Sequence, residues 1–251
     1  MLKQIFSKKE ALNFGWQKIK ENFLVFLPIL LVYFILVILL KYSYAYFLLD
    51  YWVFSQDHIP FLVKYSYYLI VILGWIISLS FFKLSLKIAD GQKPVFKDIF
   101  YSCKIFYKYF IIGVLFLIIS TAVNYGIDYL YSSTYEFYKT FGLGLTARII
   151  LENLLQIIWF IISIFLFIKL MFYPWFIIDG QGLIKSLKSS WQITKNIKGS
   201  LFAFDLLLVL INILGVLVAG IGLLWTVPLS LIALAYIFRK LQIKPESEII
   251  I

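Results

Sequence analysis

A chain of 251 residues that is 63% hydrophobic, 20% aromatic and only 14% charged is too poor in charge for an ordinary soluble domain, where about a quarter of residues are charged. Its 23 Lys+Arg against 13 Asp+Glu would suit nucleic acid in a hydrophilic protein. In one this apolar, the excess points to basic segments held on the inner side of a membrane, and no nucleic-acid partner is expected. One cysteine, Cys103, and one histidine, His58, exclude an internal disulfide, a cysteine-built metal site and a His–His metal pair.

In chain order, residues 1–22 read as a surface helix. Ser7 with Glu10 three residues later forms a capping-box pattern that starts it near Lys8. Leu12, Gly15, Trp16 and Ile19 share one face, and Lys9, Gln17, Lys20 and Glu21 lie largely on the other. Trp16 is expected at headgroup depth. The first span, 23–40, carries no charge and has Pro28 in its first two turns, where a missing amide costs least. It follows an amphipathic start without a small-residue cleavage pattern, so it reads as a retained span. Residues 41–64, with His58, form an aromatic outer segment, and the second span covers about 67–86 with Lys83 near its inner end.

Asp90-Gly91 is a turn signal, and Pro94 suits the first turn of a basic helix with Phe96, Ile99, Phe100 and Cys103 on its apolar side. A third span follows at about 109–128, then an outer loop at 129–146 and a fourth span at 149–171. Pro174 and Asp179-Gly180 end that span. The helix 183–196 then puts Leu183, Ile184, Leu187 and Trp191 on one face, with Lys185, Lys188 and Lys195 on or beside the other. The fifth span is 201–219. Gly220 and Gly222 make a tight turn, and the sixth span is 223–238. Its sixteen residues, at 1.5 Å each, reach ~24 Å, short of a ~30 Å hydrocarbon core, so the Gly turn is expected to be sunk in the membrane or the bilayer thinned there.

Lys+Arg counts for the non-spanning segments and their flanks run 5, 2, 6, 2, 5, 0 and 3. The alternate set holds 19 of the 23 basic residues, which places both termini and the Asp90 and Asp179 turns in the cytoplasm. The Lys/Ile/Phe/Tyr-heavy usage suits a bacterial, AT-rich genome, hence the inner (cell) membrane. Asp90-Gly91-Gln92 and Asp179-Gly180-Gln181 each precede a basic helix, and Leu12…Trp16-Gln17 recurs as Leu187…Trp191-Gln192. The fold class expected is therefore all-α: a single integral membrane domain, 1–251, of six transmembrane helices. They form three hairpins, each preceded by a cytoplasmic amphipathic interfacial helix, in repeat units 1–88, 89–178 and 179–251.

The stretches SKKEALNFGWQKIKENF, FYPWFIIDGQGLIKSLKSSWQITK and GIGLLWTVPLSLIALAYIFRKL resemble a broad family of uncharacterised bacterial six-helix membrane proteins. That family is related to the membrane domain attached to some glycerophosphoryl diester phosphodiesterases. The positions that match are Asp179, Leu187, Trp191, Gly222, Pro228 and Tyr236. The resemblance implies a six-helix fold and, with no soluble phosphodiesterase domain in this sequence, does not carry that activity over.

Catalytic constellations are scarce. Metal-dependent phosphodiester chemistry needs clustered Glu, Asp and His, and here the acids are scattered. His58 and Cys103 fall on opposite sides of the membrane, and no Walker-type loop or GxGxxG occurs. No enzyme, metal or cofactor is expected. The candidate intramembrane polar site is Asp205, Lys169, Lys83 and Asn212. Asp205 is expected to pair with Lys83, Lys169 or local amides and lock the bundle, the other reading being a coupling-ion site. The candidate lipid or partner face is Lys185, Lys188, Trp191, Lys195, Trp16 and Lys20. Asp90, Gly91, Asp179, Gly180 and Pro228 are assigned turn or structural roles. Two functions follow: a non-enzymatic protein that organises anionic lipid or a protein partner at the cytoplasmic face, or a small transporter or lipid translocator using a cavity between hairpins.

Overall fold

The structure is a computed structural model that describes residues 6–53, 61–95, 97–140, 145–218 and 220–243. Among them there are eight helices and no strand: α1 (Lys8–Val53), α2 (Phe61–Ala89), α3 (Asp98–Thr140), α4 (Leu145–Leu170), α5 (Tyr173–Ile178), α6 (Leu183–Ile193), α7 (Lys198–Leu217) and α8 (Leu223–Ile243). Six are long and apolar enough to cross a membrane, at Lys8–Leu39, Leu69–Ala89, Ile105–Tyr129, Asn153–Ile178, Lys198–Leu217 and Leu223–Ile243. Side chains that point outward in mid-span, such as Ile157, Phe160 and Ile161 on α4 and Val209, Leu210 and Ile213 on α7, are exposed. Apolar surface this continuous marks a lipid-facing wall.

Several helices run further than expected. The segment read as a surface helix is the first part of α1, whose 46 residues extend ~69 Å without interruption. Pro28 therefore lies well inside the helix rather than in its opening turns. Likewise α3 is one helix of 43 residues; no separate surface helix precedes the third span, and Pro94 sits in the connection before it, buried. Of the three expected surface helices only α6 stands alone. The reason is local: residues 20–24 and 104–109 contain no Gly or Pro, and Asn22, the one capping-type residue there, donates to the Lys18 carbonyl inside the helix at 2.9 Å, whereas Gly182 and the Thr194–Ile197 turn delimit α6. The sixth span is also longer than expected. With 21 residues, α8 reaches about 31 Å, its last five residues including Arg239 and Lys240, which are held in ion pairs. His58 lies outside the described residues.

Sequence neighbours α1–α2, α3–α4 and α7–α8 touch, but the most extensive contact joins the first and last long helices, α1 and α8. Small residues make this possible. Gly15 faces α8, where a Cβ built on it would sit 2.8 Å from the Leu229 carbonyl oxygen, and Ala11 and Ile19, one turn to either side on the same stripe, are fully buried. In a bilayer no water is released by joining two apolar helices, so close backbone approach of this kind is what favours the pair. The α7–α8 turn repeats it: Gly220 has φ +75°, and a Cβ on Gly222 would lie 2.6 Å from Gly215 Cα.

The core is concentrated at one end. In α5 the residues Pro174 to Ile178 are all buried. Trp175 stacks on Phe238 of α8 at 5.8 Å and meets Phe82 of α2 edge-on at 5.1 Å. Its indole N–H donates to the Phe82 carbonyl at 3.0 Å and to Ser85 Oγ at 3.3 Å, so a buried Trp donor is satisfied.

Candidate functional site at the basic end of the bundle

The two Asp-Gly turns have the same backbone geometry. Gly91 (φ +72°) and Gly180 (φ +89°) occupy the left-handed region. The Gly91 N–H donates to Ile88 O and Gln92 N–H to Lys87 O; Gly180 N–H donates to Ile177 O and Gln181 N–H to Phe176 O. Both are Schellman caps, which need a residue free of the Cβ penalty at that position. The paired turns end α2 and α5.

Those turns hold something the sequence did not disclose. Arg239, in the last turns of α8, lies between them. Its Nε and Nη2 donate to Asp90 Oδ1 and Oδ2 at 2.6 and 2.8 Å, and its Nη1 and Nη2 donate to Asp179 Oδ2 and Oδ1 at 2.5 and 2.9 Å. Gln242 joins the group, accepting from Arg239 Nη1 at 2.7 Å. A planar guanidinium satisfies two carboxylates in this way and an ammonium does not. Asp90 and Asp179 are turn residues as expected, and they are also a clamp on the end of α8. A doubled turn motif with one acid at each copy was the available signal, since two like charges brought together need a shared cation.

Further pairs surround the clamp. Ser7 Oγ accepts the Glu10 N–H at 3.3 Å, the first half of the expected capping box. The Glu10 carboxylate instead goes to α8, accepting from Lys240 at 2.5 Å and from the Tyr236 hydroxyl. Lys87 at the end of α2 donates to Asp98 Oδ1 at 2.7 Å, and Asp98 Oδ2 accepts the Val95 N–H at 2.9 Å. Burial opposes the Asp98 charge, but the Lys87 ammonium and the Val95 N–H outweigh it and hold the carboxyl below the usual range.

The expected intramembrane polar site does not assemble. Asp205 is half-buried on α7 and forms no ion pair among the described residues. Lys83 is turned toward the basic end, where the carboxylates acting on it are Asp98 and Asp179. Lys169 points at rings, its Nζ 5.1 Å from the centre of Trp191. The pairing of Asp205 with either lysine is thus corrected; Lys169 sits in the last turn of α4 and Lys83 about two turns before the end of α2, and the neighbours that act on each are groups other than Asp205. Asn212 is elsewhere again. Its Nδ2 donates to Leu208 O at 2.9 Å and across to Ser230 Oγ of α8 at 3.1 Å. Pro228, buried in the second turn of α8, is near that contact in sequence.

The α6 face is also arranged differently from the expectation. Its inward side is polar and small: Ser186, Ser190 and Thr194 are fully buried, spaced four apart on one stripe. Ser190 and Thr194 both donate to the Lys169 carbonyl, at 2.9 and 3.4 Å, and Ser190 Oγ accepts the Phe172 N–H at 3.2 Å. These bonds satisfy backbone groups left open where α4 stops. Ile184 and Trp191 face out with Lys185, Lys188 and Lys195, so the helix shows apolar and basic edges side by side. On α1, Trp16 is 48% exposed, with Lys20 Nζ 4.9 Å over its ring and Trp225 edge-on at 5.7 Å. Among the described residues no group of three or more His, Cys, Asp or Glu is placed to hold a metal ion.

No protein-family profile, characterised protein or solved structure matches the chain. Asp179, Tyr236 and Gly222 make contacts between elements: Asp179 with Arg239, Tyr236 with Glu10, and Gly222 with Gly215.

Proposed function

We propose that this is a non-enzymatic multi-pass membrane protein that organises anionic lipid or a protein partner at its basic, cytoplasmic end. The observation that carries this reading is α6. A short helix is fastened to the bundle through a buried Ser/Thr stripe, which leaves Ile184, Trp191, Lys185 and Lys188 outward. An apolar edge beside a lysine edge suits the headgroup layer, where each lysine contributes ~1 kcal/mol of attraction to an anionic leaflet. Trp16 and Lys20 on α1 would add a second point of contact. The inner membrane of a bacterium, with both termini cytoplasmic, is the setting that the charge asymmetry supports.

The competing reading is a small transporter or lipid translocator. A cavity of about 450 Å³ between α1, α2 and α8 speaks for it, lined by Leu30, Phe34, Phe81, Leu231 and other apolar residues. Its polar lining is limited to Tyr33 and Ser78, and none of Asp205, Lys83, Lys169 or Asn212 reaches it. Such a space suits an acyl chain better than an ion.

The test is the preference for spin-labelled phosphatidylglycerol over phosphatidylcholine at the protein boundary in reconstituted vesicles, together with partner recovery from native membranes. Lys185→Gln with Lys188→Gln should lower both. An unchanged preference and recovery would count against the reading, and Asp205-dependent flux of ions or labelled lipid would favour the alternative.

A further inference from the structure

The last turn of α4, the end of α6 and the start of α7 converge on cations that no ion pair among the described residues neutralises. The Lys169 side chain is only 4% exposed. Its ammonium nevertheless meets aromatic faces, 5.1 Å from the Trp191 ring centre and 6.0 Å from that of Phe165. Lys198 Nζ approaches the same Phe165 ring at 5.7 Å, and the charges that act on Lys169 are those of Lys198 and Lys195. None of these three lysines forms an ion pair among the described residues. Ring faces offset only part of the cost of covering an ammonium, and three like charges in one place add to it. Among the described residues the group lacks an anion.

The first turn of α7 supplies matching donors. Among the described residues no backbone acceptor serves the N–H groups of Lys198, Gly199 and Ser200, the first such bond being Leu201 N–H to Ile197 O, and Ile197 provides no side-chain cap. A Cβ on Gly199 would meet nothing within 4 Å, so the approach to these amides is open. Free amides at the positive end of a twenty-residue helix favour an anion with several acceptor oxygens. Lys169 is kept in register by the Ser190 and Thr194 hydroxyls on its own carbonyl.

We propose that Lys169, Lys195, Lys198 and the first amides of α7 bind the phosphate of an anionic phospholipid headgroup, with Trp191 and Phe165 as its walls. The phosphate could be free or lipid-borne, and the surroundings favour the lipid. Directly beyond the site, Ile161 and Phe165 of α4 and Phe202 and Leu206 of α7 are exposed apolar side chains, along which acyl chains would lie. The proposal rests on the reading that this end meets the headgroup layer, and it adds one discrete site to a diffuse basic face.

The full-length protein is reconstituted into nanodiscs of phosphatidylcholine with a minor share of phosphatidylglycerol, and lipid retained after detergent extraction is counted by native mass spectrometry. Lys169→Gln and Lys198→Gln should each lower retained phosphatidylglycerol about tenfold, the worth of one charge-assisted hydrogen bond, while Lys169→Arg keeps it. Lys198 is exposed, so its variant tests the site even if the Lys169 variant unfolds. Unchanged retention in Lys198→Gln and Lys169→Gln, with loss in Lys185→Gln/Lys188→Gln, overturns the site and leaves the general lipid reading standing. No phosphatidylglycerol preference in the wild-type protein overturns both. Displacement of retained lipid by inorganic phosphate at equal concentration overturns the lipid assignment.

Discussion

Asp98 shows how one side chain ties a helix start to a helix end. It stands in the first turn of α3, where a negative charge suits the helix dipole, and binds both Lys87 and the Val95 N–H. Because its folded-state pKa is depressed, its stabilisation is present above the unfolded-state pKa and is lost as pH falls through the folded value. The melting temperature of the detergent-solubilised protein should therefore exceed that of Asp98→Asn at neutral pH, and the two should converge in acid. A gap that persists below the carboxylate range would show that Asp98 acts by shape alone. This pairing was not legible in the sequence, because Lys87 is eleven residues away and only the turn geometry brings the two together.

At the scale of elements, glycine decides how closely helices pack. Gly15→Ala places a methyl 2.8 Å from the Leu229 carbonyl oxygen and 3.3 Å from Ala233 Cβ. Backbone cannot yield as a flexible side-chain end can, so the variant should lose about 1–3 kcal/mol, the usual cost of overpacking. Gly74→Ala, which meets nothing within 4 Å, is the control and should be neutral or slightly stabilising, since alanine suits a helix interior better. Thermal unfolding in detergent compares the two; equal effects would refute close α1–α8 packing. Helix existence was readable from runs of uncharged residues, and so was the start of α6 at Leu183, whereas its end, expected at Asn196, comes three residues earlier at Ile193. Helix ends beyond the bilayer were not readable. Aromatic-rich segments such as 41–53 and 129–140 look like interfacial loops by composition, yet nothing in them stops a helix.

For the whole molecule, Arg239 is the residue that joins the ends of α2, α5 and α8. Replacing it with Gln leaves Asp90 and Asp179 facing each other without the guanidinium that both of them bind. Its side chain is partly exposed, which lowers the effect from that of a buried pair, and a loss of about 2 kcal/mol is expected. Arg239→Lys should recover only a fraction, since an ammonium does not bind two carboxylates bidentately. Adding Asp90→Asn and Asp179→Asn to Arg239→Gln should restore part of the loss. A double-mutant cycle on melting free energy measures the coupling, and a vanishing coupling would reduce the clamp to a surface contact.

The amino-acid pattern alone determined that this is an all-helical chain with six apolar helices of membrane-spanning length, because hydrophobic length and charge placement are local properties. It also located both glycine turns, since a left-handed cap asks for a residue without a Cβ. Only the tertiary structure decided the partners. It set α1 against α8 through Gly15, gave Asp90 and Asp179 to Arg239, and turned Lys83 and Lys169 away from Asp205. Contacts between residues distant in the chain depend on how helices cross, and no single helix carries that information.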